Sequence, residues 1–127
     1  MRSEGELKRL GPVMAAMSRS LRIRGFFGGP GLYRRRRPRG FDVVRLETEL
    51  DRTGATRIRI ALSQQADDGR AEWPGEVSLW DLVPARERGG MWRVAPTSRV
   101  EAVARDLVEA VERYGLPVLD KAVAHPE

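Results

Sequence analysis

Cysteine is absent from this chain of 127 residues, and histidine occurs once, as His125. Without cysteine the chain has no disulfide, no thiolate zinc site, no iron–sulfur cluster and no cysteine nucleophile. His125 lies next to the C-terminus, where residues are usually poorly ordered, so we expect it to be solvated. We therefore predict no catalytic residue, no metal site and no cofactor.

Long hydrophobic runs are also absent. No apolar stretch approaches the roughly 18 residues of a membrane-spanning helix, and residues 1–20 contain acids and lack the apolar centre of a secretory signal. We therefore expect a cytoplasmic protein without a membrane partner. A hydrophobic fraction of 41% and a charged fraction of 32% are typical of a globular domain. The length predicts one domain, 1–127, in which residues 1–6 and 123–127 are flexible tails.

Positive charge is concentrated in the first third of the chain. Residues 1–45 contain twelve Lys or Arg and three Asp or Glu, whereas residues 46–127 contain eleven and fifteen. The densest stretch, residues 31–45, reads GLYRRRRPRGFDVVR. Such charge attracts nucleic acid or an acidic protein, or only maintains solubility, and charge alone does not separate these alternatives.

The N-terminal segment has the spacing of a helix with one apolar face. Gly25 follows it as a natural stop, because glycine tolerates the left-handed conformation just past a helix end. Pro12 removes a hydrogen bond, so we expect the helix to begin or bend there. The apolar positions are Leu7, Leu10, Met14, Met17 and Leu21.

The C-terminal segment has a second helical pattern. Ser98 and Glu101 have the spacing of a capping box, Gly115 is the predicted end, and we expect residues 118–123 to add one or two turns. The apolar stripe consists of Val100, Val103, Ala104, Leu107, Val111 and Tyr114. We predict that this stripe packs against a sheet.

Residues 38–40, Pro-Arg-Gly, have the composition of a three-residue hairpin loop with glycine in the left-handed position. The predicted pairs are Arg37 with Phe41, Arg36 with Asp42, Arg35 with Val43, and Tyr33 with Arg45. We expect this charged strand to lie at or near a sheet edge, where charged residues discourage pairing with other chains.

Residues 52–54, Arg-Thr-Gly, predict a second loop of the same kind. The predicted pairs are Glu49 with Arg57, Glu47 with Arg59, Thr48 with Ile58, Leu46 with Ile60, and Val44 with Leu62. This register matches opposite charges on one face and aliphatic side chains on the other, so two independent criteria agree. We expect Ile58, Ile60 and Leu62 to face the core.

Side chains alternate along a strand, so these registers place Arg34 and Arg36 on the core side. The opposite face would collect the candidate binding residues Tyr33, Arg35, Arg37, Phe41, Arg45, Arg57 and Arg59. Aromatic and cationic side chains on an open sheet can hold single-stranded nucleic acid. Glu47 and Glu49 on the same face would repel its phosphates.

The remaining segments complete an α+β prediction. FFGGPG, residues 26–31, is expected to be a turn into the sheet, and Asp67-Asp68 a solvated loop tip. Trp73, Trp80 and Leu82 are expected to anchor a covering segment, and residues 91–94 to form the last strand. The predicted fold is a single α+β domain, an antiparallel β-meander of about four to five strands packed by an N-terminal and a C-terminal helix.

Five short motifs carry a resemblance to a known family. They are Arg24-Gly25-Phe26, residues 32–35 (LYRR), 58–62 (IRIAL), 91–94 (MWRV) and 114–119 (YGLPVL). In order and spacing the chain resembles, over about residues 7–122, the bacterial family "domain of unknown function 4304". Residues 45–49, RLETE, depart from the Asn-Phe-Gln-x-Ser-like stretch typical of that family. The resemblance implies a compact α+β fold and supplies no catalytic residues.

Three functional hypotheses remain open. The first is a non-enzymatic domain that binds another protein through a basic sheet face or edge, by analogy with small immunity or defence-associated domains. The second is a single-stranded nucleic-acid-binding protein. The third is a hydrolase or transferase that uses carboxylates alone, which would require Asp or Glu from separate elements to converge in a pocket. Composition leaves the oligomeric state undetermined.

Overall fold

An antiparallel sheet carries helices on one of its faces in the computed structural model, which describes residues 4–38, 40–66, 76–88, 93–95 and 99–123. The elements are α1 (Glu4–Ile23), β1 (Phe27–Gly28), β2 (Leu32–Arg37), β3 (Gly40–Leu50), β4 (Thr56–Ala66), β5 (Val77–Ser78), α2 (Leu79–Leu82), α3 (Ala85–Arg88), β6 (Arg93–Val94), α4 (Val100–Ala110), a π-helical turn (Val111–Gly115) and α5 (Leu116–Val123). Within the described residues the strand order is β1-β2-β3-β4-β5, and β6 also pairs with β4. The predicted α+β class is confirmed.

The C-terminal end of α1 follows the prediction. Gly25 has a φ of +90°. Its N–H donates to the carbonyl of Arg22 at 3.1 Å, and the N–H of Phe26 donates to the carbonyl of Leu21 at 2.9 Å. This pair of bonds is the Schellman arrangement, which satisfies carbonyls that the helix end leaves open.

Pro12 lies inside α1, which rules out the first of the two predicted alternatives, a helix that begins there. An interior proline costs a helix about 3 kcal/mol. Leu10 and Val13, on either side of it, are both buried in the core. We attribute the continuation of the helix to this burial, because packing of an apolar face supplies most of the stability of helices in proteins.

The predicted register between β3 and β4 is confirmed at every pair. Gly54 has a φ of +84°, as the loop requires. The N–H of Asp51 donates to the carbonyl of Ala55 at 2.8 Å, which closes a three-residue loop over residues 52–54. Leu46 and Ile60, one such pair, are both buried in the core.

The predicted register between β2 and β3 is wrong by one residue. The observed pairs are Arg37 with Gly40, Arg36 with Phe41, Arg35 with Asp42, Arg34 with Val43, Tyr33 with Val44, and Leu32 with Arg45. The loop therefore contains two residues, 38 and 39, of which Arg39 lies outside the described residues. A slip of one residue moves every side chain of a strand to the other face of the sheet.

Gly40 explains this slip. It is the first residue of β3 rather than the last residue of the loop, and it pairs with Ala66 of β4. A Cβ at this position would lie 1.9 Å from the carbonyl oxygen of Gln65. Glycine is required here because the backbone of the neighbouring strand approaches too closely for any side chain.

The C-terminal helix does not end at Gly115, contrary to the prediction, but continues through the π-helical turn into α5. A Cβ on Gly115 would lie 3.2 Å from Leu62 and 3.3 Å from Leu79, so this glycine provides room for close packing. The predicted apolar stripe is confirmed, since its members are buried or pack against the core. Arg99 precedes α4 without a side-chain capping bond, and Ser98 lies outside the described residues.

The covering segment is only partly described. Leu79 is buried and Leu82 packs against the core, whereas Trp80 is exposed. The predictions for Asp67-Asp68, Trp73, residues 91–92 and His125 fall outside the described residues. Among the helices that are described, none has the length and apolar character needed to cross a bilayer.

Candidate functional site

Arg35 and Arg37 lie on the inner, helix-covered face of the sheet, where both bind Asp42. This carboxylate is completely buried. Its Oδ2 accepts hydrogen bonds from Nε of Arg35 at 3.0 Å and Nε of Arg37 at 2.6 Å. Its Oδ1 accepts one from the side-chain amide of Gln64 at 2.8 Å. Because both oxygens are bonded and two cations lie beside them, the buried charge is compensated.

The same two arginines attach α5 to the sheet. Nη2 of Arg35 and Nη2 of Arg37 lie 2.7 Å and 2.9 Å from Oδ1 of Asp120. The guanidinium of Arg35 also lies 4.6 Å from the ring centroid of Phe26, within the range of a cation–π contact. With side-chain exposures of 16% and 26%, these arginines join β2, β3 and α5 and offer little surface to a partner.

Tyr33 belongs to the same inner face and is fully buried. Its hydroxyl hydrogen-bonds with that of Ser18 on α1 at 2.8 Å. The prediction that Tyr33, Arg35 and Arg37 share an open face with the other candidate residues is therefore wrong. The one-residue slip between β2 and β3 is its cause.

The outer face of β1, β2 and β3 carries a cluster that we call the aromatic–arginine patch. It consists of Phe27, Leu32, Arg34, Arg36 and Phe41. The rings of Phe27 and Phe41 meet edge to face, with centroids 6.2 Å apart and planes at 73°. The guanidinium of Arg36 lies 4.9 Å from the ring centroid of Phe41.

Much of this patch is accessible to solvent. Phe27 is 52% exposed and Leu32 is 41% exposed. Arg34 is exposed and lies opposite Phe27 on β1 and Val43 on β3. It makes no ion pair with any described residue. The patch thus places large exposed apolar side chains beside a cation that has no carboxylate partner among the described residues.

The middle of the outer face has balanced charge. Arg45 bonds to Glu47 at 2.8 Å and also to Glu76. Arg59 lies 3.7 Å from the other oxygen of Glu76. Ala61 is opposite Arg45 in the register and is buried despite its position on this face. The arginines at the centre of the outer face are thus paired with carboxylates.

The far end of the outer face is organised by Asp51. Its Oδ1 accepts hydrogen bonds from the N–H and hydroxyl of Thr53, and its Oδ2 accepts one from Arg93 at 3.0 Å. Arg57 lies 3.9 Å away. The Thr53 hydroxyl, followed by the Arg93 guanidinium, holds the pKa of Asp51 well below its usual range.

The structure thus divides the predicted site. Phe41, Arg45, Arg57 and Arg59 do lie on the outer face, and Arg57 and Arg59 are mostly exposed, at 69% and 58% of their side-chain area. Sequence reasoning missed Phe27, Leu32, Arg34 and Arg36. A two-residue loop at 38–39 would have placed the last three outward, and the aromatic residue before the glycines would have indicated Phe27.

Asp42 and Asp120 are described carboxylates from separate elements that converge, and the same two arginines bind both. Among the described residues, no group of three or more His, Cys, Asp or Glu is placed to hold a metal ion.

Comparison of the chain with protein-family models, with curated proteins and with solved structures finds no match. The resemblance to the "domain of unknown function 4304" family therefore stays a prediction.

Proposed function

We propose that this protein is a non-enzymatic binding module and that the aromatic–arginine patch is the surface with which it binds another protein. The observation that carries the proposal is the exposed ring of Phe27 beside Arg34, a cation without an ion pair among the described residues. Aromatic and arginine side chains dominate the energetic centres of protein interfaces.

The chemistry of the patch indicates the chemistry of the partner. Phe27 and Leu32 need an apolar surface to cover them, and Arg34 needs a carboxylate. The positive balance of residues 1–45 would attract an acidic protein over a distance of about a Debye length, roughly 8 Å at physiological salt. The partner we propose is therefore an acidic protein with an apolar contact region.

Single-stranded nucleic acid is the alternative ligand, and Arg34 with Phe27 is the feature that favours it. Two observations favour a protein instead. The guanidinium of Arg36 already covers the ring of Phe41, where a base would have to stack. The outer face also contains Glu47 and Glu76, whose charges would repel phosphates.

The test compares two double variants on the same face of the sheet. Phe27→Ala/Arg34→Ala removes the centre of the patch, and Arg57→Ala/Arg59→Ala is the matched control outside it. After a partner is recovered from the native host and purified, calorimetry should show that the first variant weakens binding by about 30-fold or more, as for residues at an interface centre. The control should bind like the wild type.

Equal binding by the wild type and by Phe27→Ala/Arg34→Ala would contradict the proposal. Titration of a labelled single-stranded oligonucleotide tests the alternative. Binding that weakens with salt, with a log–log slope of about −0.7 per phosphate contacted, would replace the protein partner by nucleic acid.

A further inference from the structure

A second surface lies on the helix layer, on the other side of the sheet from the aromatic–arginine patch. It is a groove of about 480 Å³ between α1 and α4, continued by the π-helical turn. Its lining residues are Ala16, Arg19, Ser20, Ile23, Arg105, Val108, Glu109 and Glu112. Each helix contributes positions i, i+3, i+4 and i+7, which share one helix face, so the groove runs along two parallel stripes.

The two ends of the groove differ in size. Ser20 and Arg24 of α1 both contact Glu112, so Ile23 and Glu112 lie at the same end. Ile23 is 78% exposed, more than the other exposed large hydrophobic residues of the described chain. Ala16, the smallest lining side chain, lies at the opposite end. One end therefore carries a large exposed apolar residue and the other a small, partly buried one.

The charges of the groove also differ between its ends. Arg105 lies at the Ala16 end, and its neighbouring carboxylate, Asp106, is 3.8 Å away. Glu112 lies at the Ile23 end, where Ser20 donates to it at 2.8 Å and Arg24 lies at 3.1 Å. Between the ends, Arg19 and Glu109 make no ion pair with other described residues.

We propose that this groove is the interface of a two-fold symmetric dimer of the chain. A two-fold axis across the middle of the groove lays each helix antiparallel on its copy. Ile23 of one copy then covers Ala16 of the other, and Arg105 of one copy meets Glu109 and Glu112 of the other. A surface whose ends complement each other under this rotation is what an isologous interface requires.

The groove is small, and the area it can bury limits the expected affinity of the dimer. Seven residues of helix span about 10 Å, and a stable interface usually buries about 800 Å² on each partner. We therefore expect a weak dimer, with a dissociation constant on the order of 10 to 100 μM. Both aromatic–arginine patches would remain uncovered in it, because they lie on the opposite side of each sheet.

The test is sedimentation equilibrium of the full chain from about 1 μM to about 500 μM. The wild type should change from monomer to dimer across this range. Ile23→Arg should raise the dissociation constant at least about tenfold, because it replaces an apolar contact with Ala16 by a cation placed beside Arg105 of the other copy. Ile23 is mostly exposed, so the variant should unfold at the same urea concentration as the wild type.

Charge exchange separates this dimer from other modes of association. Arg105→Glu and Glu109→Arg should each dimerise more weakly alone, because each brings like charges together across the axis. An equimolar mixture should form a heterodimer more readily than either variant forms a homodimer, since three of its four opposed charge pairs are then of opposite sign. A monomeric wild type at about 500 μM would overturn the proposal. So would a dissociation constant that none of these three substitutions changes.

Discussion

Two pairs of arginines alternate along β2, and the two pairs have different surroundings. Arg35 and Arg37 bind the buried Asp42 and the helix residue Asp120 on the inner face. Arg34 and Arg36 lie on the outer face among phenylalanines. The difference shows that a run of like charges in a strand is divided between the two faces of the sheet. The register of the strand decides which charges lie on which face.

The largest expected effect comes from removing the inner pair. Arg35→Ala/Arg37→Ala leaves Asp42 buried without a cation, so the free energy of unfolding should fall by about 3 to 5 kcal/mol. Urea denaturation followed by circular dichroism measures this change. Arg34→Ala/Arg36→Ala is the matched control, and its effect should stay under about 1 kcal/mol because these side chains are exposed. Equal losses would remove the distinction between the faces.

The next effect concerns how tightly the inner face is packed. Gly115→Ala pushes a methyl group towards Leu62 and Leu79, so we expect a loss of about 1 to 3 kcal/mol in urea denaturation. Gly11 of α1 is the control, since a Cβ there meets nothing within 4 Å. Gly11→Ala should change the free energy of unfolding by less than about 1 kcal/mol, because the helix propensity of alanine is offset by Pro12, whose ring disfavours the helical conformation of a preceding residue that has a Cβ. A Gly115→Ala variant as stable as the wild type would show that the inner face has spare room.

The smallest effect concerns the outer face and depends on pH. The pKa of Asp51 is lowered in the folded state, so the stability from its charge is present above the unfolded pKa of about 3.9 and is lost as pH falls. Asp51→Asn should be less stable than the wild type at pH 7, and the difference should shrink below about pH 4. Urea denaturation at a series of pH values measures it. A stability difference between the two proteins that is constant with pH would mean that the charge of Asp51 does not contribute to stability.

Glycines show where sequence reasoning succeeded and where it failed. Gly25 and Gly54 were predicted from turn chemistry, and both have positive φ angles. Gly40 and Gly115 were assigned similar roles, but both are required because other atoms lie close to them. The sequence shows where glycines lie. Only the folded structure shows whether a glycine is required for its backbone conformation or for the space around it.

The candidate site was also predicted only in part. The register between β3 and β4 was correct, so Arg45, Arg57 and Arg59 were placed on the outer face. The register of β2 depended on the length of one loop, which Pro and Gly allow to be two or three residues. The approach of Gln65 to Gly40 decides between them, and that contact joins residues distant in sequence.

Disulfide crosslinking tests the alternation of the arginines most directly, because the chain has no cysteine of its own. Arg36 and Phe41 are directly opposed on the outer face, so Arg36→Cys/Phe41→Cys should form a disulfide under mild oxidation. In Arg37→Cys/Phe41→Cys the two Cβ atoms point to opposite faces, and the thiols should stay free. Crosslinking of the second variant and not the first would contradict the account, because Arg34 and Arg36 would then face inward.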